Sequence, residues 1–201
     1  MPFSAIGSPL SSISSSPSLP LLDGIAGMQL IAALLDLCKK SPAIIAIDGP
    51  AGAGKTTLAG ELKASIGTKR VAIVHMDDLY GGWELSEDFT SRLLALVRDI
   101  SQGKAHEIHI YDWHQGRFSS TRTIDPVDIV ILEGAGSGQS AIRPYPSALI
   151  WMDIEDSQGL TRVLNRDGDS IRTQMLEWQN YQREHFLRER TRESADFELT
   201  T

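Results

Sequence analysis

The sequence predicts an α/β fold of three layers: a five-stranded, mainly parallel sheet between helices, with a small helical lid. Three observations point there. Short β-branched runs alternate with longer segments of helical period, the pattern of βαβ units and a parallel sheet. One of these strand–helix junctions carries a glycine-rich run ending in Lys-Thr. The 201 residues are 41% hydrophobic, enough to bury the core of one such domain.

Residues 1–22 carry no charge and are crowded with serine and proline, including Ser14-Ser15-Ser16, Pro17 and Pro20. Such a stretch offers little apolar surface to offset the entropy of ordering, so it is expected to be a disordered tail before a domain spanning 23–201. It lacks the basic start and unbroken apolar centre of a secretory signal. Asp23 is expected to cap a helix whose apolar face is Ile25, Met28, Ile31, Leu34, Leu35 and Cys38, with Lys39 and Lys40 at its end. The strands beyond Pro42 are then Ala43–Ile47, Arg70–His75, Glu107–Tyr111, Asp128–Leu132 and Ala148–Met152, with Ala195–Leu199 as a short edge strand. The helices are Lys55–Ile66, Glu87–Gln102, Gln158–Arg166 and Ser170–Thr191.

A net charge of −7 provides no broad basic field for nucleic acid or an anionic membrane, though a basic pocket for a small phosphate compound is compatible with it. The single cysteine, Cys38, rules out an internal disulfide framework and a multi-cysteine zinc site. The longest apolar stretch, Ile25 to Cys38, is too short to span a bilayer and contains Gln29 and Asp36. A cytoplasmic protein is expected, with neither nucleic acid nor membrane as partner.

The run Gly49-Pro50-Ala51-Gly52-Ala53-Gly54-Lys55-Thr56 has the spacing G-x-x-x-x-G-K-[ST], and it lies between a strand and a helix. That context makes a P-loop of it, in preference to an unliganded glycine-rich turn. Small residues from Gly49 through Ala51, Gly52, Ala53 and Gly54 let backbone N–H groups converge on phosphate oxygens at a helix N-terminus. Lys55 reaches the outer phosphates of ATP, and the Thr56 hydroxyl, beside Thr57, can bind Mg²⁺. The fold class thereby becomes that of a P-loop NTPase.

Two further strands run out into acids at the carboxyl edge of the sheet, where open α/β sheets bind ligands. Ile129–Leu132 ends in Glu133-Gly134, and Glu133 is expected to hold Mg²⁺ rather than merely to cap a turn. Val71–His75 is followed by Asp77-Asp78 after Met76. One of these aspartates can accept the proton of an attacking hydroxyl, Asp77 also serving the metal, unless the pair only shapes a turn. Trp83 and Trp113, with Tyr80, form either an aromatic wall for a planar acceptor or part of the core. His106 and His109 point to opposite faces of a strand and so cannot share one tetrahedral site with His114.

Together these residues resemble the uridine kinase family, within the phosphoribulokinase and nucleoside kinase group. The resemblance runs from about Ala43 to Leu199 through the P-loop, Asp77-Asp78-Leu79-Tyr80, Tyr111-Asp112-Trp113, Leu132-Glu133-Gly134, Arg162 to Arg166 and Ala195-Asp196. It implies Asp77 as general base, Tyr80 in the acceptor pocket, Glu133 at the metal, and Arg162 and Arg166 around the transferring phosphoryl group. It implies ATP and Mg²⁺ as cofactors and a small-molecule hydroxyl acceptor, a nucleoside of the uridine or cytidine kind. Two departures lie on the acceptor side. Only Gly81 to Ser86 follows Tyr80, leaving Glu84 to grip a sugar, and His114 follows Trp113 directly, with Arg117 beyond. Glu84, Tyr111, Asp112, His114 and Arg117 are the expected acceptor contacts. The rival from another class is a P-loop ATPase or nucleotide-dependent switch with no such acceptor.

Overall fold

The computed structural model describes residues 24–201. The expected tail, residues 1–22, and the Asp23 cap lie outside the described residues. Helix α1 (Gly24–Leu37) leads into β1 (Ala43–Asp48), α2 (Lys55–Ser65), β2 (Val71–His75), the one-turn α3 (Met76–Leu79) and α4 (Glu87–Ser101). There follow β3 (His106–Asp112), β4 (Arg117–Ile124), β5 (Ile129–Glu133), β6 (Ala148–Asp153), α5 (Asp156–Asp167), α6 (Arg172–Glu189) and β7 (Phe197–Thr200).

The central sheet has the order β2-β5-β1-β6-β7, and all four of its pairings are parallel. Strand β1 lies at the centre with every residue buried, so its apolar run needs no polar alternation. Successive side chains leave it on opposite faces. Ile45 and Ile47 pack with Leu34, Leu58, Leu62 and Ile131 on the α1/α2 side, whereas Ile44 packs with Phe89, Leu93, Leu96 and Phe186 on the α4/α6 side. Those two clusters are the interfaces of a three-layer α/β P-loop fold.

The caps explain the helix boundaries. Ser86 accepts the Phe89 N–H at the start of α4, and Glu155 accepts the Gln158 N–H at the start of α5. Gly168 ends α5 with φ +93°, a backbone state that side chains rarely adopt. Among the described residues, no helix is long and apolar enough to cross a membrane.

The segment expected as the third strand of the main sheet is elsewhere. Glu107–Tyr111 belongs to β3, which pairs antiparallel with β4 in a separate two-stranded sheet. The reason is local. In β3 only Ile108 is fully buried, and a strand with His106, Glu107 and His109 cannot be covered on both faces as a parallel strand is. Its place is taken by β7, the expected edge strand, shifted from Ala195–Leu199 to Phe197–Thr200 and lying parallel to β6. The long last helix is also shorter than expected, because Asp169–Ile171 form a 3₁₀ turn ahead of Arg172.

Candidate active site

At the carboxyl edge of the sheet lies a cleft of about 1220 Å³. The P-loop that floors one side of it is shaped by close approach. A Cβ on Gly49 would stand 2.1 Å from the Met152 carbonyl oxygen, and one on Gly52 would stand 2.4 Å from that of Gly159. Gly159, on α5, returns the constraint: its Cβ would stand 2.6 Å from the Ala51 carbonyl oxygen. Gly54 starts α2 with φ +86° and no side chain caps that end, which leaves the N–H groups of the first turn for an anion. The Lys55 ammonium lies along the loop and donates to the carbonyls of Gly49 (2.8 Å) and Pro50 (2.7 Å). Burial lowers its pKa, against the pull of Asp48, Glu133 and Asp77.

Strands β5 and β2 deliver acids beside the loop. Glu133 closes β5, and its Oε1 accepts from the Thr56 hydroxyl at 3.1 Å and meets His75 Nδ1, from the end of β2. That hydrogen bond to Glu133 raises the His75 pKa. Asp77 and Asp78 fall on the single turn of α3, and their directions differ. Asp77 lines the cleft, whereas Asp78 meets Arg122 of the hairpin at 3.4 Å, outside it. Asp77 opens onto the cleft wall, but the protein crowding it and the Glu133 carboxylate push its carboxyl up, opposed by Lys55, Arg166 and His75. Among the described residues no group of three or more His, Cys, Asp or Glu could by itself hold a metal ion.

From α5, Arg162 donates to the carbonyl of Gly52 (3.3 Å) and to the Thr201 hydroxyl (3.0 Å). Arg166 holds Asp167 through two contacts of 2.7 Å and also lines the cleft. Elsewhere along the cleft, Trp83 and Trp113 stand with ring centroids 5.1 Å apart. Both line the cleft and are 41% and 40% exposed, so they form a wall rather than core. Tyr80 is buried behind them, its hydroxyl on the Ala135 carbonyl at 2.6 Å.

Of the expected site residues, the cleft gathers Ala51 to Thr57, Asp77, Tyr80, Trp83, His114, Glu133, Arg162 and Arg166. Glu84, Tyr111, Asp112 and Arg117 do not line it. Asp112 instead builds the hairpin turn, its carboxylate accepting from the His114 and Gln115 amides and the Gln115 side chain. Arg117 is held by Gln115 Oε1, and Tyr111 packs behind Trp113 at 5.2 Å. Glu84 is exposed outside the cleft. His106 meets Asp99 at 2.6 Å, on the far side of the hairpin stem from His109, which is exposed.

Several residues of the site had no counterpart in the sequence reading. Asp48, fully buried at the end of β1, accepts N–H groups from Gly49, Gly136 and Gly138, and burial raises its pKa to about 6. The signal existed, since β1 ends in an acid as β5 does. Gln182 of α6 accepts the Ala51 N–H at 3.2 Å and so steadies the P-loop. Ile171, Met175 and Trp178 also line the cleft while packing against the core on the α4/α6 side.

No family model matches the chain. Among curated proteins it is similar to the uridine kinase of Lactobacillus johnsonii, 30% identical over 145 residues that cover 64% of this chain and 69% of that protein. It is also similar to the uridine kinase of Limosilactobacillus reuteri, 27% identical over 161 residues, 68% of this chain and 73% of that one. Among solved structures it shares its fold with a possible uridine kinase from Bacillus stearothermophilus (TM-score 0.59, 22% identity). That match covers 86% of this chain and 100% of that one.

Proposed function

The chain belongs to the uridine kinase family, and from that membership together with the cleft we propose that it moves the γ-phosphate of ATP, assisted by Mg²⁺, onto a hydroxyl of a uridine- or cytidine-like nucleoside. It is a phosphotransferase acting on an alcohol group. The observation that carries the finer reading is that a phosphate loop, two acids and an aromatic wall share one cleft: Lys55, Thr56, Glu133, Asp77, Trp83 and Trp113 all line it.

In this reading the N–H groups at the start of α2 cradle the phosphates, and Lys55 turns its ammonium from the loop carbonyls to the outer phosphate oxygens. Asp77 takes the proton of the attacking hydroxyl. Its raised carboxyl pKa brings it nearer the working pH, which favours a general base. Arg162 and Arg166 offset charge on the phosphoryl group in transit, and His75 holds the Glu133 carboxylate in place.

A hydroxyl and a carboxylate 3.1 Å apart form an oxygen donor set that fits Mg²⁺, which uses one or two carboxylates together with substrate phosphates. Thr56 and Glu133 would hold it, with Asp77 close by, and it would neutralise phosphate charge there.

The test is ADP release with uridine and cytidine beside a blank without acceptor, at graded Mg²⁺ with and without a chelator. Stimulation by either nucleoside that needs the metal supports the reading. Release that no alcohol stimulates rejects it in favour of an ATPase.

A further inference from the structure

One face of α6 runs from the aromatic wall to the phosphate loop. Gln174, Met175, Trp178 and Gln182 follow one another on it at helical spacing, and all four line the cleft. The Trp178 ring stands 6.2 Å from that of Trp83. One turn further, about 6 Å along the helix axis, Gln182 meets the loop, and its Oε1 accepts the Ala51 N–H at 3.2 Å. The neighbouring Gln179 donates to the Asp156 carbonyl at 2.8 Å, on the start of α5 and away from the cleft.

Gln182 is only 2% exposed, and an amide in such a place is costly unless both of its ends are used. Its oxygen is committed to the loop, so the NH₂ group is what it has left to offer. That nitrogen has no hydrogen-bond partner among the described residues. It is not walled in by protein either, as the unpartnered nitrogens Gln139 Nε2 and Arg143 Nε are. A residue on the cleft wall thus carries an unused donor between the loop and Trp178.

We propose that Gln182 is a further catalytic residue of this enzyme, its Nε2 donating to an oxygen of the γ-phosphoryl group while its Oε1 holds the loop at Ala51. The inference rests on the ATP reading above. The position selects the γ-phosphate: Gln182 reaches the loop from the helix that also carries Trp178, so its donor stands between the phosphates and the wall, where the transferring group passes. The bond to Ala51 fixes the amide before the nucleotide arrives, and a donor oriented in advance costs no rearrangement as charge moves.

The test is calorimetric titration, with Mg²⁺ present, of ADP and of a non-hydrolysable ATP analogue into wild type, Gln182→Met and Gln182→Glu. Met keeps the volume and loses both bonds, whereas Glu keeps an acceptor for the Ala51 N–H and loses the donor. A residue that only supported the loop would weaken both ligands equally in Gln182→Met and neither in Gln182→Glu. The expected result in both variants is that the analogue loses about ten- to a hundredfold in affinity beyond any loss for ADP, with kcat falling at least as far. A smaller difference between the two ligands in either variant overturns the inference; should one variant fail to fold, the other decides. Gln179→Met is the control and should leave the ratio of the two affinities unchanged. A shift there as large as in Gln182→Met would show that the ratio follows the placement of α6, and would also overturn the inference. Wild-type protein that binds neither nucleotide overturns the ATP reading and the inference with it.

Discussion

Trp113 donates its indole N–H to the backbone carbonyl of Asp77, while the neighbouring Asp78 carboxylate reaches the other way, to Arg122 on β4. The hairpin thus grips α3 from two sides and leaves the two adjacent acids in different surroundings, Asp77 at the cleft and Asp78 on the hairpin. Asp77→Asn should lower transfer to the acceptor by about 10² to 10⁴ with ATP binding kept. Asp78→Asn loses only a half-exposed ion pair and should change the rate by no more than about threefold. Steady-state rates beside nucleotide titrations check both, and a larger loss in Asp78→Asn would reverse the assignment.

On the proposed mechanism, in which Lys55 acts on phosphate charge, Lys55→Ala should reduce turnover by about 10² or more. The fold should hold, since the ammonium contacts only loop carbonyls and burial already disfavours its charge. Turnover and a thermal melt on the same preparation decide it.

Arg162 and Arg166 should separate in their kinetics. Arg162 ties α5 to the Gly52 carbonyl, so Arg162→Ala should raise the KM for ATP as well as lower kcat. Arg166 acts in the field of Asp77 and Glu133 at the cleft and has no bond to the loop among the described residues, so Arg166→Ala should fall mainly on kcat, by about tenfold or more. Equal effects on KM alone would assign both to ground-state binding.

Gly159→Ala should loosen the P-loop from a distance. The new methyl meets the Ala51 carbonyl, so helix or loop must shift, at about 1 to 3 kcal/mol. The expected signature is a lower melting temperature together with weaker ATP binding. A variant as stable and as tight as wild type would show that α5 does not constrain the loop.

His185 sets a pH dependence of stability. It is 2% exposed, and burial lowers its pKa from 6.5 to about 4. The native state therefore keeps the ring neutral where the unfolded chain protonates it. Its contribution is complete above about pH 6.5 and is lost as pH falls toward 4. Between pH 7 and 5 the loss is about 2 kcal/mol. Urea unfolding at both values should show His185→Gln losing that much less than wild type, and parallel losses would contradict the assignment. Asp48, pushed up to about 6, runs in the opposite sense, destabilising the fold as pH rises from about 4 to 6, and is common to both proteins.

Much of this architecture is legible in the chain because its signals are local. Gly49 to Thr56 announces a phosphate loop by its spacing between a strand and a helix, and the apolar runs before Asp48 and Glu133 announce buried parallel strands. What escaped depends on distance. β4 is written in Ser, Thr and Arg and becomes a strand only by pairing with β3. Asp112 turns out to build the turn of that hairpin, and Glu84 is exposed on the segment before α4, so neither lines the cleft. Gln182 reaches the P-loop across 131 residues, and no pattern around it signals the contact.

The strand order also dictates when the sheet can form. β1 is the first strand in the chain and the central one in space, yet its neighbours β5 and β6 come late. Local hairpin contacts cannot nucleate it, and folding has to close long loops before parallel pairing repays them. Until then both edges of Ala43–Asp48, an apolar run, are unpaired and able to adhere to other chains. A chain stopped before Ile129 would therefore be sticky rather than inert, and refolding yield should fall steeply with protein concentration.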